Sequence, residues 1–525
     1  MGLVKMIDRA LGRVSNVEAQ AKLAEGVYPF GLDDALLHMS GTAWTIGDSF
    51  EHAIVLGGTG SGKTSAVLRT LLGRYLRYGY GGLVCTVKSD DTQRILRLAA
   101  EAGRLDDVMV IQPSQPWVLS FLDHELTRAG EGAGNVENAV SVLMEVVEAR
   151  AEGGRRQQAD AYWTEGARRL LRHSIEAIRL ADLRVTMRDI GAVIHGMPVA
   201  GEGGQPVSPT DSFLVACMQR AEASGHDVRH LHNYFWRELA RPGANRQVSG
   251  IVSTLTNMMD PLLSGHVATL LASERESNWT PELTRTGKII ILDLPISEWG
   301  EVGRNAQLLV KKVWIDAMLR RQGLPRGEMP CFLLCDEYQV LATPSDAKLM
   351  QAGRSSCVSA LCLTQNLNNL YACFDGVRAQ YQAHAMLGNF STLIGCRNHD
   401  KTTNEWFADT IAKTLVRRRN HSVSWGESSS SGGQVGYNHG HSSSAQGGSW
   451  SSGGNTGYSW NSGESFNTSS GVSEQFEYPV APAVFTGLAS GGKSHHYQVQ
   501  AVVFKAGKRF WPHRMPFTGQ IFHQR

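Results

Sequence analysis

The sequence predicts an α/β fold, a central and mainly parallel sheet flanked by helices and carrying an inserted all-α domain, from three observations. An apolar run, His52-Ala53-Ile54-Val55-Leu56, leads directly into Gly57-Gly58-Thr59-Gly60-Ser61-Gly62-Lys63-Thr64, which fits G-x-x-x-x-G-K-[ST], and then into helical spacing from Ser65 to Leu72. Further apolar runs at Gly82–Lys88, Val108–Ile111, Lys288–Leu294 and Pro330–Glu337 alternate with helical patterns, as βαβ units require. Between about 183 and 283 strand signals fade, and apolar residues recur helically through Phe213, Leu214, Leu231, Tyr234, Phe235, Ile251, Leu255 and Met258.

The glycine loop dictates a ligand. Gly57, Gly58, Gly60 and Gly62 let the backbone wrap phosphate groups with its N–H groups turned inward, and Thr59, Ser61 and Ser65 complete the loop and the start of the helix. Lys63 brings a positive charge to the β and γ phosphates, and Thr64 is placed to ligate Mg²⁺. The dipole of the helix that follows favours the same anion. ATP and Mg²⁺ are therefore the expected ligands.

At 525 residues and 42% hydrophobic content, the chain has material for two to four globular domains. Its 51 basic and 49 acidic residues leave a net charge of +2, so any contact with nucleic acid must be a local patch. The candidates are Arg155-Arg156, Arg168-Arg169-Arg172, Lys311-Lys312 and Arg417-Arg418-Arg419, each of which also reads as a solvated face. The eight cysteines lack C-x-x-C pairs and read as reduced core residues. No run of eighteen apolar residues occurs, and the expected location is the cytoplasm.

The expected organisation is an N-terminal adaptor over 1–50, an ATPase domain in two parts over 51–182 and 284–420, and the all-α insertion over 183–283. A Ser/Gly-rich excursion follows over 421–472, and a C-terminal strand and tail over 473–525. Residues 421–470 hold 17 Ser and 11 Gly with no Leu, Ile, Met, Pro, Lys, Arg or Asp, too little apolar surface to fold independently. An extended hairpin displaying aromatics and a flexible linker are both open readings. Tyr497–Phe504 then reads as a strand returning to the sheet.

Leu333-Leu334-Cys335-Asp336-Glu337 ends an apolar strand in two carboxylates downstream of the glycine loop. Asp336 would hold Mg²⁺, and Glu337 would polarise the attacking water. Ser359–Asn366 is another buried strand, ending where Gln365 can sense the γ-phosphate. Arg354, just before it, is a candidate arginine finger, and a surface arginine without a role is the alternative.

Together these motifs resemble the type IV coupling proteins of the TraD/TraG family, within the RecA-like DNA-pumping ATPases that include FtsK and HerA. The resemblance extends to Tyr162–Leu171, Leu363-Thr364-Gln365-Asn366-Leu367, Leu387-Gly388-Asn389 and Phe504–Arg509. It implies a homohexameric ring with nucleotide between subunits and Arg354 acting in trans. It also implies single-stranded DNA with its relaxase as cargo, and delivery to a type IV secretion channel. Two departures stand out. No transmembrane helix precedes the ATPase region, so attachment to the inner membrane would come through a partner or be absent. The family's strand-end Asp-x-Lys-Gly-Glu is Thr86-Val87-Lys88-Ser89-Asp90 here, leaving the role of Lys88 open. A double-stranded DNA pump and an ATP-gated recruitment adaptor are the competing functional readings.

Overall fold

A computed structural model describes residues 22–23, 25–151, 158–201, 205–263, 265–271, 275–374, 379–427, 437–444, 447–454, 456–459 and 464–525. The chain divides into two units, one of Met1–Asn398 with Leu488–Arg525 and the other of His399–Gly487.

The first unit is built on a nine-stranded sheet: β1 (Ala53–Leu56), β2 (Gly81–Cys85), β3 (Val108–Ile111), β4 (Ile289–Leu292), β5 (Cys331–Cys335), β6 (Val358–Thr364), β7 (Thr392–Gly395), β8 (Gln498–Lys505) and β9 (Phe517–His523). Their order is β9-β8-β7-β1-β6-β5-β2-β4-β3. The seven strands from β7 to β3 pair in parallel, and β8 and β9 add antiparallel at one edge. Burial follows this division. β1, β2, β4, β5, β6 and β7 are buried at every residue, as parallel strands covered on both faces must be, whereas β9 alternates buried with exposed positions. This is the α/β, RecA-like architecture that the sequence predicts.

Close approach explains the glycines that open β2. A Cβ on Gly81 would stand 1.9 Å from the Thr284 carbonyl oxygen, and one on Gly82 would stand 2.6 Å from that of Phe332. The lead-in residues expected as an adaptor form a hairpin, Ala35–Met39 with Thr42–Thr45, and a short helix, Ile46–Ser49, capped reciprocally by Thr45 and Asp48. Leu36, Met39, Trp44, Ile46 and Phe50 join the same core as β1 and β8, so this segment packs into the core of the sheet.

Helices predominate among the described residues from Phe121 to Leu271, an interval that begins before the expected 183–283 insertion and ends short of it. The helix Gln158–Leu180 lies at their centre and packs on Val136–Ala151, Met187–His195, Phe213–Ala223 and Asn245–Leu263. Trp163, Ala167, Leu170, Leu171, Ser174 and Ile178 fall on one face at spacings of three and four, and all but the half-buried Trp163 are buried. A two-residue antiparallel pair, Val199–Ala200 with Pro206–Val207, interrupts the helices of this interval. Among the described residues no helix is long and apolar enough to cross a membrane.

In the second unit Thr414–Glu427 runs antiparallel to Glu464–Glu477 in unbroken register. Tyr437–Ser444 pairs with Gly447–Gly454, which meets Glu464–Glu477 at Gly453 and Gly471. The backbone of the described part of the Ser/Gly-rich segment thus takes the hairpin form.

His52, at the foot of β1, makes the core sensitive to acid. Its ring is buried, with Nδ1 accepting from the Ala360 N–H at 3.0 Å and Nε2 facing the Met350 carbonyl oxygen at 3.0 Å, a pair of contacts that fits the neutral ring. Burial pulls its pKa down to about 4. The folded state thus resists a proton that the unfolded chain accepts near pH 6.5, so this contribution is complete above that pH and is lost as pH falls toward 4. Unfolding free energy from urea titrations is expected to drop by about 3 kcal/mol across that window through this group, 1.36 kcal/mol per pH unit. His52→Gln should flatten the slope.

Candidate nucleotide-binding and hydrolysis site

Four adjacent parallel strands end at one edge of the sheet, and each delivers a functional segment there. Leu56 of β1 pairs with Thr364 of β6, Cys362 of β6 with Cys335 of β5, and Cys335 with Cys85 of β2. The glycine loop, Gln365, the Asp336-Glu337 pair and Lys88 therefore emerge side by side, where open α/β sheets bind ligands.

The loop is held from behind. Gly57 N–H donates to the Thr364 carbonyl at 3.3 Å, and Gly58 N–H donates to that of Arg397 at 2.9 Å. Gly60 and Gly62 take positive φ, and a Cβ on Gly62 would lie 2.3 Å from Val499 Cγ2, so both the turn and the β8 strand demand glycine there. Lys63 to Leu68 forms a π-helical turn continuing into the helix Arg69–Arg77. The amides of Lys63, Thr64 and Ser65 donate to no backbone carbonyl among the described residues.

Three features of this loop suit a phosphate chain. Those free amides open a helix, the Ser61 hydroxyl is buried with no hydrogen-bond partner, and Lys63 is turned onto its own loop, donating to the carbonyls of Gly57 at 2.6 Å and Gly58 at 3.3 Å. Burial lowers the Lys63 pKa despite the facing Glu337 and Asp336, as for a cation awaiting its anion. The Ser65 hydroxyl, by contrast, accepts from the Gln524 side chain.

The carboxylates stand across from the loop. The Thr64 hydroxyl donates to Asp336 Oδ2 at 2.8 Å, bringing together the two residues nominated for Mg²⁺. Burial raises the Asp336 pKa despite that bond, so a cation beside it would be favourable. The hydroxyl and carboxylate oxygens are the hard donors Mg²⁺ prefers. Glu337 sits in left-handed backbone geometry at φ 57°, and Gln365 Nε2 donates to its Oε2 at 3.1 Å.

Three neighbours of this pair were not assigned a role by the sequence. Gln339 Nε2 donates to Glu337 Oε2 at 2.8 Å, Lys88 Nζ lies 2.6 Å from Glu337 Oε1, and Arg94 Nη1 lies 3.8 Å from Asp336 Oδ2. Burial alone would raise the Glu337 pKa, but Lys88 and Gln339 outweigh it and hold the carboxyl below the usual glutamate range. Lys88 stood in a strand-end motif whose role was open, whereas Gln339 carries no local signal.

Arg354 is elsewhere. It lies in the turn that follows the helix Asp346–Ala352, ahead of the first residue of β6, and so at the opposite end of that strand from Gln365. Its side chain is 75% exposed and pairs with Glu51 at 2.9 Å.

The candidate basic patches fare differently. Lys311 and Lys312 are buried inside the helix Ile296–Leu319 and pair with Asp346 and Asp316, so the expectation of a DNA-facing patch there is corrected. The helix is covered on nearly every side, and its lysines serve the core. Arg168 and Arg172 pair with Glu137, and Arg169 pairs with Glu238 over the Tyr234 ring. Arg417 and Arg418 pair with Glu474 and Glu477. Arg155-Arg156 lies outside the described residues.

Comparison with known proteins adds two findings. Residues 330–449 match the family model described as the TraM recognition site of TraD and TraG. The fold is shared with the bacterial conjugative coupling protein TrwB. The unbound TrwBΔN70 form is 16% identical at a TM-score of 0.53, over 93% of this chain and 88% of that one. TrwB with ADP and Mg²⁺ is 16% identical at 0.53, over 96% and 92%. TrwB with a non-hydrolysable GTP analogue is 16% identical at 0.54, over 95% and 91%. No curated protein matches the chain. The likeness to coupling proteins read from the motifs is carried by this matched region and this fold.

Proposed function

We propose that the chain is an ATP-hydrolysing coupling protein, a motor that recruits a relaxase with its single-stranded DNA to a type IV secretion channel for conjugative transfer or mobilisation. The observation that carries this reading is the Thr64–Asp336 contact at 2.8 Å beside Glu337 and Gln365, at the edge where the glycine loop opens. The TrwB fold and the TraM-recognition region support the conjugative role, and TrwB itself is described with ADP and Mg²⁺ and with ATP and GTP analogues.

In this reading the free amides of the loop and Lys63 hold the triphosphate, and Thr64 and Asp336 hold the ion. Mg²⁺ would supply charge neutralisation between phosphate oxygens when bound. Glu337 accepts the proton of the attacking water, and Gln365 orients that water toward the γ-phosphate. Arg354, exposed and distant from its own loop, suits a role at a neighbouring subunit's nucleotide, which makes a homohexameric ring the working assembly. A TraM-like accessory protein is the partner suggested by residues 330–449. The protein works in the cytoplasm, tethered at the inner membrane by a partner.

The test is ATP hydrolysis by the purified chain across protein concentrations, with and without single- or double-stranded DNA. Stimulation by single-stranded DNA, rising steeply with protein concentration, is expected. Stimulation by duplex alone would turn the reading to a double-stranded DNA pump. Absence of hydrolysis under folded, magnesium-replete conditions would leave a recruitment adaptor.

A further inference from the structure

The turn between β2 and the helix Asp91–Glu101 covers both carboxylates of the site. Asp91 Oδ2 accepts from the amides of Val87 and Lys88 at 3.0 and 2.9 Å and so fixes the turn, while Asp91 Oδ1 takes Arg94 Nη1 at 3.1 Å. Lys88 in this turn reaches Glu337 Oε1, and Arg94 in the first turn of the helix that follows stands 3.8 Å from Asp336. On the far side of Glu337, the amides of Gln339 and Gln365 both donate to Oε2.

Three donors thus occupy both oxygens of the group that must accept a proton from water. A carboxylate offers about four lone-pair sites, so one on Oε1 stays open, and Lys88 on that oxygen fixes the direction in which it is turned. Gln339 and Gln365 are neutral and share one oxygen. Lys88 holds the other, through a charge-assisted bond at 2.6 Å. Its side chain is 47% exposed, whereas Lys63 is buried, so Lys88 can leave toward solvent without disturbing the nucleotide loop. Only the lysine end of the pair is exposed, 47% against 9% for Glu337, so the contact opens by Lys88 swinging out to water while Gln339 and Gln365 keep hold of the buried carboxylate.

We propose that Lys88 is a positioning residue that clamps Glu337 in a resting orientation, and that its release is the step by which a polyanion such as DNA licenses hydrolysis. This rests on the hydrolytic reading above. The side chain of Lys88 hydrogen-bonds Glu337 and neither the loop nor Asp336, although its charge also bears on Asp336 and Lys63.

The experiment measures kcat and KM for ATP in the wild-type chain, Lys88→Met and Lys88→Arg, with and without single-stranded DNA, with thermal unfolding as the check on folding. Lys88→Met should raise the DNA-free kcat about two- to fivefold, the scale on which a half-exposed ion pair is worth its hold, at unchanged KM. Its stimulation by DNA should shrink by the same factor, and Lys88→Arg should restore wild-type behaviour. A Lys88→Met protein that matches wild type in both conditions overturns the clamp and leaves the hydrolytic reading standing. One whose kcat collapses also overturns it, because Lys88 is then needed for the chemistry. If neither the wild type nor Lys88→Met hydrolyses ATP, with or without DNA, the hydrolytic reading fails and the clamp falls with it.

Discussion

Lys311→Met is expected to destabilise the first unit by about 3–5 kcal/mol, the cost of leaving one partner of a buried ion pair alone. Lys311 and Asp346 are both fully buried, 2.6 Å apart. The ammonium also donates to the Leu341 carbonyl at 2.6 Å and the Thr343 hydroxyl at 3.3 Å, and Asp346 accepts from the Tyr338 hydroxyl at 2.8 Å. Burial alone would lower the Lys311 pKa, yet the Asp346 charge outweighs it and raises the group, so the ammonium keeps its charge at neutral pH. Removing the ammonium strands a carboxylate that neutral donors hold only partly. Urea unfolding checks the magnitude, and Lys311→Met combined with Asp346→Leu should recover much of the loss, because an apolar pair of similar volume restores a consistent interior. A single variant within about 1 kcal/mol of wild type would show that the site admits water. The pair matters for function through its neighbours. Tyr338 directly follows Glu337, and Asp346 opens the helix that precedes Arg354, so the variant should also lower hydrolysis.

That pair also marks where reading the sequence stops. The glycine loop, Asp336-Glu337 and Gln365 are legible because each follows a buried strand, and parallel strands in one sheet bring such ends to a common edge. Two strands of the nine-stranded sheet were missed. β7 is four residues long, and β9 alternates exposed and buried positions in a segment without clear bounding turns. Lys311-Lys312 reads as a solvated face because the residue that buries it, Asp346, is 35 positions away and no spacing rule links them. Gln339 escaped for a similar reason. Its contact with Glu337 depends on the left-handed turn at φ 57°, a backbone choice that a glutamate rarely makes and a sequence pattern does not announce. Lys88 was visible only as a departure from a family motif, and its meaning came from β2 lying next to β5.

Glu337→Gln is expected to lower kcat by about 10²- to 10⁴-fold, the range for removal of a positioned general base, while ATP binding changes no more than a few-fold. The amide keeps the volume of the carboxylate and can remain beside Gln365, but it has no basic oxygen to accept a proton and no charge for Lys88 to hold. In the proposed function binding rests on other groups, the loop amides, Lys63 and the Thr64–Asp336 pair, none of which the substitution removes. Hydrolysis and binding should therefore separate in one variant, measured as steady-state phosphate release against fluorescence titration with a labelled nucleotide. A protein that kept more than about a tenth of wild-type turnover would transfer the base role to another carboxylate or to water alone. One that lost binding as well would mean that Glu337 shapes the loop through Lys63, whose charge faces it in the unliganded fold.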